Sequence, residues 1–216
     1  MNKDCKKEKV LVVIVTYNGM QWLERCLDSL KNQATVDAIV IDNGSTDGSV
    51  EYIRERHPEV ELIATGKNLG FGAANNIGMK KALRDGYAGV YLLNQDAWIF
   101  DDTIPVLMAV SRKYPEYGIL SPIQLSGDGI TPDFGFRKAC FRAFEEDGEI
   151  VEVTFSMAAH WYIPADALRL VGGFSPTFFH YGEDNNYVER MRWHGKKIGV
   201  AIKAKGVHDR NERPTP

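Results

Sequence analysis

Two adjacent carboxylates, Glu183 and Asp184, stand between a run of aromatic residues and a helical pattern. Repulsion between neighbouring carboxylates costs stability, and apolar surroundings increase that cost, so the pair needs a physical reason. Two interpretations are open: the pair caps the N-terminus of the following helix, or one carboxylate acts as a general base. Both interpretations predict that the two side chains lie at the start of a helix.

A third acid, Asp96, follows an apolar run at residues 89–93. A carboxylate at the end of a buried strand is a suitable oxygen ligand for Mg²⁺ or Mn²⁺. The alternative is that Asp96 caps the next helix, but Asp101 and Asp102 are better placed for that role. We therefore favour the ligand interpretation. His208, alone in a polar stretch, is by itself typical of a surface residue.

Polar or glycine-rich segments follow four apolar runs in the N-terminal half. The segments are 16–18, 42–48, 66–72 and 94–96. The runs alternate with amphipathic segments, which indicates a mainly parallel sheet flanked by helices. Because ligands bind beyond the carboxyl ends of such strands, we expect one ligand cleft rather than four unrelated turns.

Two common nucleotide-binding motifs are missing. Gly70-x-Gly72 has no third glycine, because position 75 is Asn75, and the P-loop pattern does not occur. These departures argue against a dinucleotide oxidoreductase and against a P-loop nucleotidase.

Composition limits the class of protein. The 216-residue chain is 44% hydrophobic and carries a net charge of −3, which argues against a dedicated nucleic-acid binder. Its three cysteines, Cys5, Cys26 and Cys140, have no metal-binding spacing, so we expect a reducing compartment. The polar start lacks the apolar stretch of a signal peptide, and no apolar run is long enough to span a membrane. We therefore expect a cytoplasmic location.

The C-terminal half has a less regular pattern. Alternating aromatics and glycines predict hairpins over 123–155. Beyond them, the pattern predicts a short helix that begins at Pro164, a helix over 185–194 and a strand over 196–202.

In the N-terminal half, Ser45 or Thr46 is the expected cap of the helix over 49–56. Some side chains suit either a ligand site or an ordinary structural role. They are Trp161, Phe178, Phe179 and Trp193, which suit a sugar-binding platform or the core, and Arg190 and Arg192, which suit contact with an anionic ligand or a solvated helix face.

Five motifs occur in a distinctive order along the chain: V-T-Y-N (15–18), V-I-D-N-G-S-T-D-G-S (40–49), N-L-G-F-G-A-A-N-N-I-G (68–78), L-L-N-Q-D (92–96) and G-E-D-N-N (182–186). In this order they resemble the inverting family 2 glycosyltransferases of the GT-A fold, in particular the rhamnosyltransferase-type branch. The resemblance spans Val10 to His208. It implies a GT-A nucleotide-diphospho-sugar transferase fold with a small acceptor-side β/α portion.

The resemblance also implies roles for individual residues. Asp184 is the expected catalytic base, with Glu183 beside it, and Asp96 and His208 are the expected ligands of Mg²⁺ or Mn²⁺. The expected donor-binding residues are Thr16, Tyr17, Asn18, Asp42, Asn43, Asn68, Gly70, Asn75, Asn94, Gln95 and Asp96. In one departure from the family pattern, Asn94 replaces the first carboxylate of the aspartate motif, so we expect the diphosphate and water to complete the coordination of the metal.

The implied function is metal-dependent, inverting transfer of a hexose from a UDP- or dTDP-sugar to a glycan or lipid-linked hydroxyl, as in cell-surface polysaccharide synthesis. The expected partners are the donor and the acceptor, with peripheral contact at the cytoplasmic face of a membrane, self-association and no nucleic acid. Two alternatives remain open: a catalytically weak nucleotide-sugar or glycan binding module, and a sugar-nucleotide nucleotidyltransferase. The latter normally has a basic, glycine-rich loop after its first strand, whereas TYNGMQW (16–22) has no Lys or Arg.

The same resemblance suggests how the chain is organised. We expect a flexible N-terminal segment at 1–9, a nucleotide-sugar-binding half at 10–121, and an acceptor-binding half of the same compact domain at 122–216. Related chains usually continue well beyond the position that matches His208, so we expect this sequence to be truncated at its C-terminus.

Overall fold

The computed structural model describes residues 8–31, 33–179 and 181–210. Residues 1–7 of the predicted flexible segment, including Cys5, lie outside this range. In the described residues the strands are β1 (Val10–Thr16), β2 (Val36–Asp42), β3 (Glu61–Ala64), β4 (Gly89–Asn94), β5 (Ala97–Ile99), β6 (Tyr117–Leu125), β7 (Ile150–Glu152), β8 (His160–Pro164) and β9 (Lys197–His208). The helices are α1 (Met20–Asp28), α2 (Ser49–Arg56), α3 (Phe71–Asp85), α4 (Thr103–Lys113), α5 (Phe134–Ala139), α6 (Ala165–Val171) and α7 (Glu183–Trp193).

The strands form one sheet in the order β3-β2-β1-β4-β8-β6-β9-β5, with β7 also paired to β9. The first four of these strands are parallel, as predicted. In the rest of the sheet, β8 is antiparallel to both β4 and β6, and β9 is parallel to β6. The predicted α/β class is therefore confirmed, with a parallel N-terminal half and a mixed C-terminal half.

Helices cover both faces of the sheet. On β1, Val10, Val12 and Ile14 pack into one apolar cluster with Leu23 of α1, and Leu11 and Val13 pack into the other with Met79 of α3. Alternate side chains of a strand point to opposite faces, so a continuous apolar run is needed where both faces are covered. This requirement explains why β1 is apolar without interruption.

The predicted hairpins over 123–155 are wrong for most of that segment. Residues Phe134–Ala139 are an α-helix and Phe141–Phe144 form a 3-10 turn. Asp133 caps the helix, because its Oδ1 accepts a hydrogen bond from the Phe136 amide at 2.7 Å. Phe136 is buried while Phe134 is exposed, so the alternation of aromatics reflects one inward position rather than a strand.

The predicted cap of α2 is also wrong. Neither Ser45 nor Thr46 caps the helix; Asp47 Oδ1 accepts hydrogen bonds from the amide and hydroxyl of Ser49, at 3.1 and 2.6 Å. Both candidate residues instead contact the loop after β1. The helices predicted near Pro164 and over 185–194 are confirmed as α6 and α7. No helix within the described ranges has both the length and the apolar character needed to cross a membrane.

Candidate functional site

The carboxyl ends of β2, β1 and β4 lie side by side. In the register of the sheet, Thr16 is paired with Asp42, and Val15 with Asn94. Gln95 joins two of these ends, because its Oε1 accepts hydrogen bonds from Thr16 Oγ1 at 2.8 Å and from the Tyr17 amide at 2.9 Å. The polar segments predicted to share an edge of the sheet are therefore neighbours.

Asn18 connects the loop after β1 to the loop after β2. Its Oδ1 accepts a hydrogen bond from the Thr46 amide at 2.9 Å, and its own amide donates to Ser45 Oγ at 2.9 Å. Asn18 has φ of +48°, in the left-handed region that asparagine tolerates better than most residues. The side chain thus holds two of the predicted donor-binding loops together.

Asp42 is almost completely buried, with 1% of its surface exposed. Its Oδ1 accepts hydrogen bonds from the amides of Gly44 and Ser45, both at 3.1 Å. Its Oδ2 is buried and accepts no hydrogen bond from the described part of the chain. A buried carboxylate oxygen without a donor is unfavourable. Asp42 Oδ2 is therefore an acceptor that a ligand can satisfy.

The glycine-rich loop at 66–72 contacts the loop that precedes α7. Asn43 secures the first loop, with Oδ1 accepting from the Leu69 amide at 3.3 Å and Nδ2 donating to the Gly70 carbonyl at 3.4 Å. A Cβ added to Gly70 would lie 2.3 Å from the carbonyl oxygen of Phe179. Only glycine permits this approach, because Gly70 also has φ of +83° and ψ of 162°.

Glu183 and Asp184 are the first two residues of α7. The cap position is Gly182, and no side chain caps the helix, so the interpretation of the pair as a helix cap is wrong. Acids in a first helical turn nevertheless interact favourably with the helix dipole.

The two carboxylates have different environments. Glu183 is 8% exposed, and its Oε2 is buried with no hydrogen-bond partner among the described residues. Asp184 is half-buried, and its Oδ1 accepts a hydrogen bond from the Asn185 amide at 2.8 Å. A Cβ added to Gly72 would lie 3.8 Å from Glu183 Cβ, so the acidic pair adjoins the glycine-rich loop.

Asp96 and His208 form a buried pair. Asp96 Oδ1 is 3.4 Å from His208 Nε2, and each side chain is 4% exposed. The register of β5 and β9 explains the approach, because Ala97 is paired with His208. A carboxylate oxygen and an imidazole nitrogen at this separation fit two positions around one Mg²⁺ or Mn²⁺ ion. Within the described ranges, no group of three or more His, Cys, Asp or Glu side chains is arranged to hold a metal.

His160, for which the sequence leaves a structural and a surface role open, is fully buried and supports the end of β9 beside His208. Its Nε2 lies 3.0 Å from the Val207 carbonyl, which only accepts, so Nε2 carries the proton. Nδ1 therefore accepts from the Tyr91 hydroxyl at 2.8 Å. Burial lowers the pKa of His160 to about 3, and proximity to His208 contributes, so the ring is neutral at physiological pH.

The remaining predicted site residues differ in their surroundings. Asn68 Oδ1 accepts from the Gly70 amide at 2.8 Å, and Asn75 Nδ2 donates to the Phe71 carbonyl at 3.0 Å, so both side chains stabilise the glycine-rich loop and α3. The structure gives them these internal partners, and contact with a donor stays a prediction. Sequence patterns gave no role to Asn76, which makes two hydrogen bonds to the backbone of Phe174.

The proposed acceptor platform is only partly exposed. Trp161 is fully buried, and its ring stacks against both Phe174 and Tyr187, so the core interpretation is correct for this residue. Phe178 is half-buried, whereas Phe179 and Trp193 are 62% and 86% exposed.

The two arginines of α7 have partners within the protein. Arg190 donates a hydrogen bond to the carbonyl of Gly173, and Arg192 lies 3.2 Å from Glu189. The interpretation of Arg190 as a residue of a solvated face is therefore wrong, because it holds the backbone of a loop. Arg192 forms an ion pair on the helix surface.

A cavity of about 760 Å³ lies at the opposite edge of the sheet, near the amino ends of β1 and β2. The charged side chains and the Tyr87 hydroxyl that line it have partners: Lys81 pairs with Glu61 at 2.9 Å, and Tyr87 donates to Asp37 at 2.8 Å. Among the lining groups, the neutral amide oxygen Gln33 Oε1 is buried without a hydrogen-bond partner in the described part of the chain. At the carboxyl edge, by contrast, the buried oxygens without partners include those of two carboxylates, Asp42 and Glu183. We therefore assign the candidate site to the carboxyl edge.

Comparisons with known proteins identify the family and the fold. The model of the family described as "Glycosyl transferase family 2" matches residues 11–167. The chain is 35% identical over 212 residues to N-acetylglucosaminyl-diphospho-decaprenol L-rhamnosyltransferase of Mycobacterium tuberculosis, covering 83% of this chain and 69% of that protein.

Solved structures show the same fold. S. aureus TarS 1-349 in complex with UDP-GlcNAc has a TM-score of 0.71 at 17% identity, covering 95% of this chain. The mannosyltransferase PcManGT from Pyrobaculum calidifontis, in complex with GDP-Man and Mn²⁺, has a TM-score of 0.70 at 19% identity, also covering 95% of this chain. The present chain spans 60% and 58% of those two chains. The predicted GT-A fold is therefore confirmed.

Proposed function

The chain belongs to glycosyl transferase family 2, and on that premise we propose that it transfers a rhamnose-type hexose from a dTDP- or UDP-sugar to a lipid-linked glycan, with inversion. The mycobacterial relative, named as an L-rhamnosyltransferase for a polyprenyl-diphosphate-linked sugar, supports this donor and acceptor class. The contact of Gly70 with Phe179 is the observation that carries the proposal. It brings the glycine-rich loop at 66–72, which we assign to the donor and call the donor loop, against the segment that leads into α7 and ends at Glu183 and Asp184, which we call the acidic segment.

The nucleoside end of the donor fits the loops after β1 and β2. Asp42 Oδ2 is the buried acceptor available to a base N–H or a ribose hydroxyl. Thr16, Tyr17 and Asn18 form the adjoining wall, and the interloop hydrogen bonds of Asn18 and Gln95 hold that wall in place. A preformed wall lowers the entropy cost of ordering the donor.

The diphosphate end fits the Asp96–His208 pair. These two side chains would hold Mg²⁺ or Mn²⁺, and the bound ion would neutralise the charge of the departing diphosphate as a Lewis acid. Because Asn94 has no carboxylate, diphosphate oxygens and water would complete the coordination.

Asp184 is proposed as the general base. It removes the proton of the acceptor hydroxyl while the oxygen attacks the anomeric carbon opposite the diphosphate. The bond from that carbon to the diphosphate oxygen breaks, and its electron pair leaves with the nucleoside diphosphate. One in-line displacement inverts the anomeric centre. Exposed Phe179 and Tyr181 precede the carboxylates and offer apolar faces to an acceptor sugar.

We propose that residues 10–121 serve the donor and 122–216 the acceptor, although the sheet is continuous across β4 and β8. Contact with the cytoplasmic face of a membrane and self-association stay predictions from the resemblance.

A transfer assay tests the function. We expect dTDP-rhamnose or a UDP-hexose, with Mn²⁺ and a polyprenyl-diphosphate-linked N-acetylglucosamine, to give a disaccharide lipid and free nucleoside diphosphate. The acceptor lipid without its sugar is the control. Pyrophosphate release from a nucleoside triphosphate and a sugar phosphate would indicate a nucleotidyltransferase. Donor binding without turnover of any donor in the panel would indicate a binding module.

Removal of metal should stop the reaction. We expect chelation by EDTA, or the substitution Asp96→Asn, to lower turnover by about 100-fold or more, because the leaving diphosphate loses its counter-charge. Added Mn²⁺ should restore the wild type after chelation but not the variant. Asp101→Asn, at an exposed acid outside the site, is the matched control and should retain full turnover. Undiminished turnover of the wild type in EDTA would contradict the metal proposal.

A further inference from the structure

Asn76 connects the donor side of the molecule to the segment that leads to the catalytic carboxylate. It lies in α3, whose first two residues, Phe71 and Gly72, are also the last two of the glycine-rich loop. Its Nδ2 donates to the Phe174 carbonyl at 2.9 Å, and its Oδ1 accepts from the Phe174 amide at 2.7 Å. We call these two hydrogen bonds the Asn76 clamp. A primary amide carries both a donor and an acceptor, so this one side chain satisfies both backbone groups of one residue.

The clamp belongs to a set of contacts that hold three successive carbonyls. Tyr187 donates its hydroxyl to Gly172 at 2.9 Å, Arg190 donates to Gly173, and Asn76 donates to Phe174. Two of these donors come from α7, the helix that presents Asp184, and the third comes from α3. Residues 172–174 are therefore the junction between the two helices.

The local sequence is adapted to this junction. A Cβ added to Gly173 would lie 2.2 Å from Asn76 Oδ1, so a larger residue would displace the side chain. The Phe174 ring, 3% exposed, packs against Tyr187 with ring centroids 4.8 Å apart and against Phe71 at 5.8 Å. The aromatic packing retains the segment in the core, while the clamp determines its exact register against α3.

The position of residues 172–174 relative to α3 matters, because the donor loop and the acidic segment also contact each other at the candidate site. Gly70 and Gly72 of the donor loop face Phe179 and Glu183 of the acidic segment. A shift at Phe174 is therefore transmitted to the separation between the donor and Asp184. Misplacement of a reacting group by about 1 Å costs about 100-fold in rate.

We propose that Asn76 is a positioning residue, whose clamp on the Phe174 backbone sets the distance between the bound donor and the catalytic carboxylate. This inference rests on the proposed function. It assigns Asn76 an effect on the chemical step and none on donor affinity, since its polar atoms are occupied by Phe174.

Two variants separate hydrogen bonding from packing. Asn76→Ala removes both hydrogen bonds, and Asn76→Asp keeps the volume but places an acceptor against the Phe174 carbonyl. For both variants we expect kcat to fall by roughly 10- to 100-fold, with the KM of the donor within about threefold of the wild type. Tyr87→Phe, which loses a buried hydroxyl at the opposite edge of the sheet, is the control and should retain kcat.

Amide hydrogen exchange gives a readout that needs no turnover. We expect faster exchange in both Asn76 variants at residues 186–190, whose amides are hydrogen-bonded within the first turns of α7, and no change there in Tyr87→Phe. If the wild type transfers no sugar, the proposed function fails while the exchange data still decide whether the clamp exists. Unchanged exchange in 186–190, an unchanged kcat, or an equal loss of kcat in Tyr87→Phe would each overturn the inference.

Discussion

Asp184→Asn is expected to reduce sugar transfer by about 10²- to 10⁴-fold, the range that general-base assistance usually supplies. Asparagine has nearly the same shape but cannot accept the proton of the attacking hydroxyl. Because Asp184 is half-buried at the start of α7 and its hydrogen bonds within the described residues come only from the backbone and side-chain amides of neighbouring Asn185, the substitution should leave the fold intact. Affinity for the nucleoside diphosphate should stay within about twofold, since the proposed nucleoside contacts lie on other loops.

Steady-state kinetics, with calorimetric binding of the nucleoside diphosphate, would test this expectation. Glu189→Gln is the matched control, because Glu189 is an exposed acid of the same helix that pairs with Arg192 at 3.2 Å. It should retain full turnover. Glu183→Gln distinguishes the neighbouring carboxylate: a severe loss there, combined with near-normal turnover of Asp184→Asn, would transfer the role of base to Glu183.

Gly70→Ala is expected to damage both stability and catalysis. At φ of +83° and ψ of 162°, Gly70 occupies a region that is essentially restricted to glycine, and a Cβ would lie 2.3 Å from the Phe179 carbonyl oxygen. We expect the free energy of unfolding to fall by about 2–5 kcal/mol, from backbone strain and overpacking together. We also expect at least a roughly 100-fold loss of kcat, because the donor loop and the acidic segment are forced apart.

Gly86→Ala distinguishes backbone strain from the steric overlap with Phe179. Gly86 also has positive φ, at +82°, but nothing lies within 4 Å of an added Cβ. Its substitution should cost roughly 1–2 kcal/mol of stability and leave kcat unchanged. Urea unfolding and kinetics on the two variants would provide the comparison. The interpretation would fail if Gly70→Ala lost no more stability or activity than Gly86→Ala.

The N-terminal half could be predicted because its signals are local. The apolar run at 11–15 is buried on both faces of the sheet, and any strand so placed needs an uninterrupted apolar sequence. The polar segments after each run were predicted to share an edge, and the pairing of Thr16 with Asp42 follows from parallel topology. The five ordered motifs indicate the family from the amino-acid sequence alone.

The C-terminal half could not be predicted in the same way, because its structure depends on contacts with residues that are distant in the sequence. Phe134 and Phe136 alternate as in a strand, yet the cap by Asp133 makes the segment helical. Trp161 has a residue type suited to a sugar platform, but it is fully buried and packs against Phe174 and Tyr187 in the core. Local propensity is a weak guide wherever tertiary contacts of this kind decide burial.

The sequence by itself determined the family, the parallel half of the sheet and the identities of the candidate carboxylates, because short-range pattern and motif order contain that information. Only the tertiary structure decided how the parts meet. Asp96 reaches His208 through the pairing of β5 with β9, and Asn76 reaches Phe174 across 98 residues of chain. Contacts between residues so far apart depend on strand order and helix packing, which no local periodicity records.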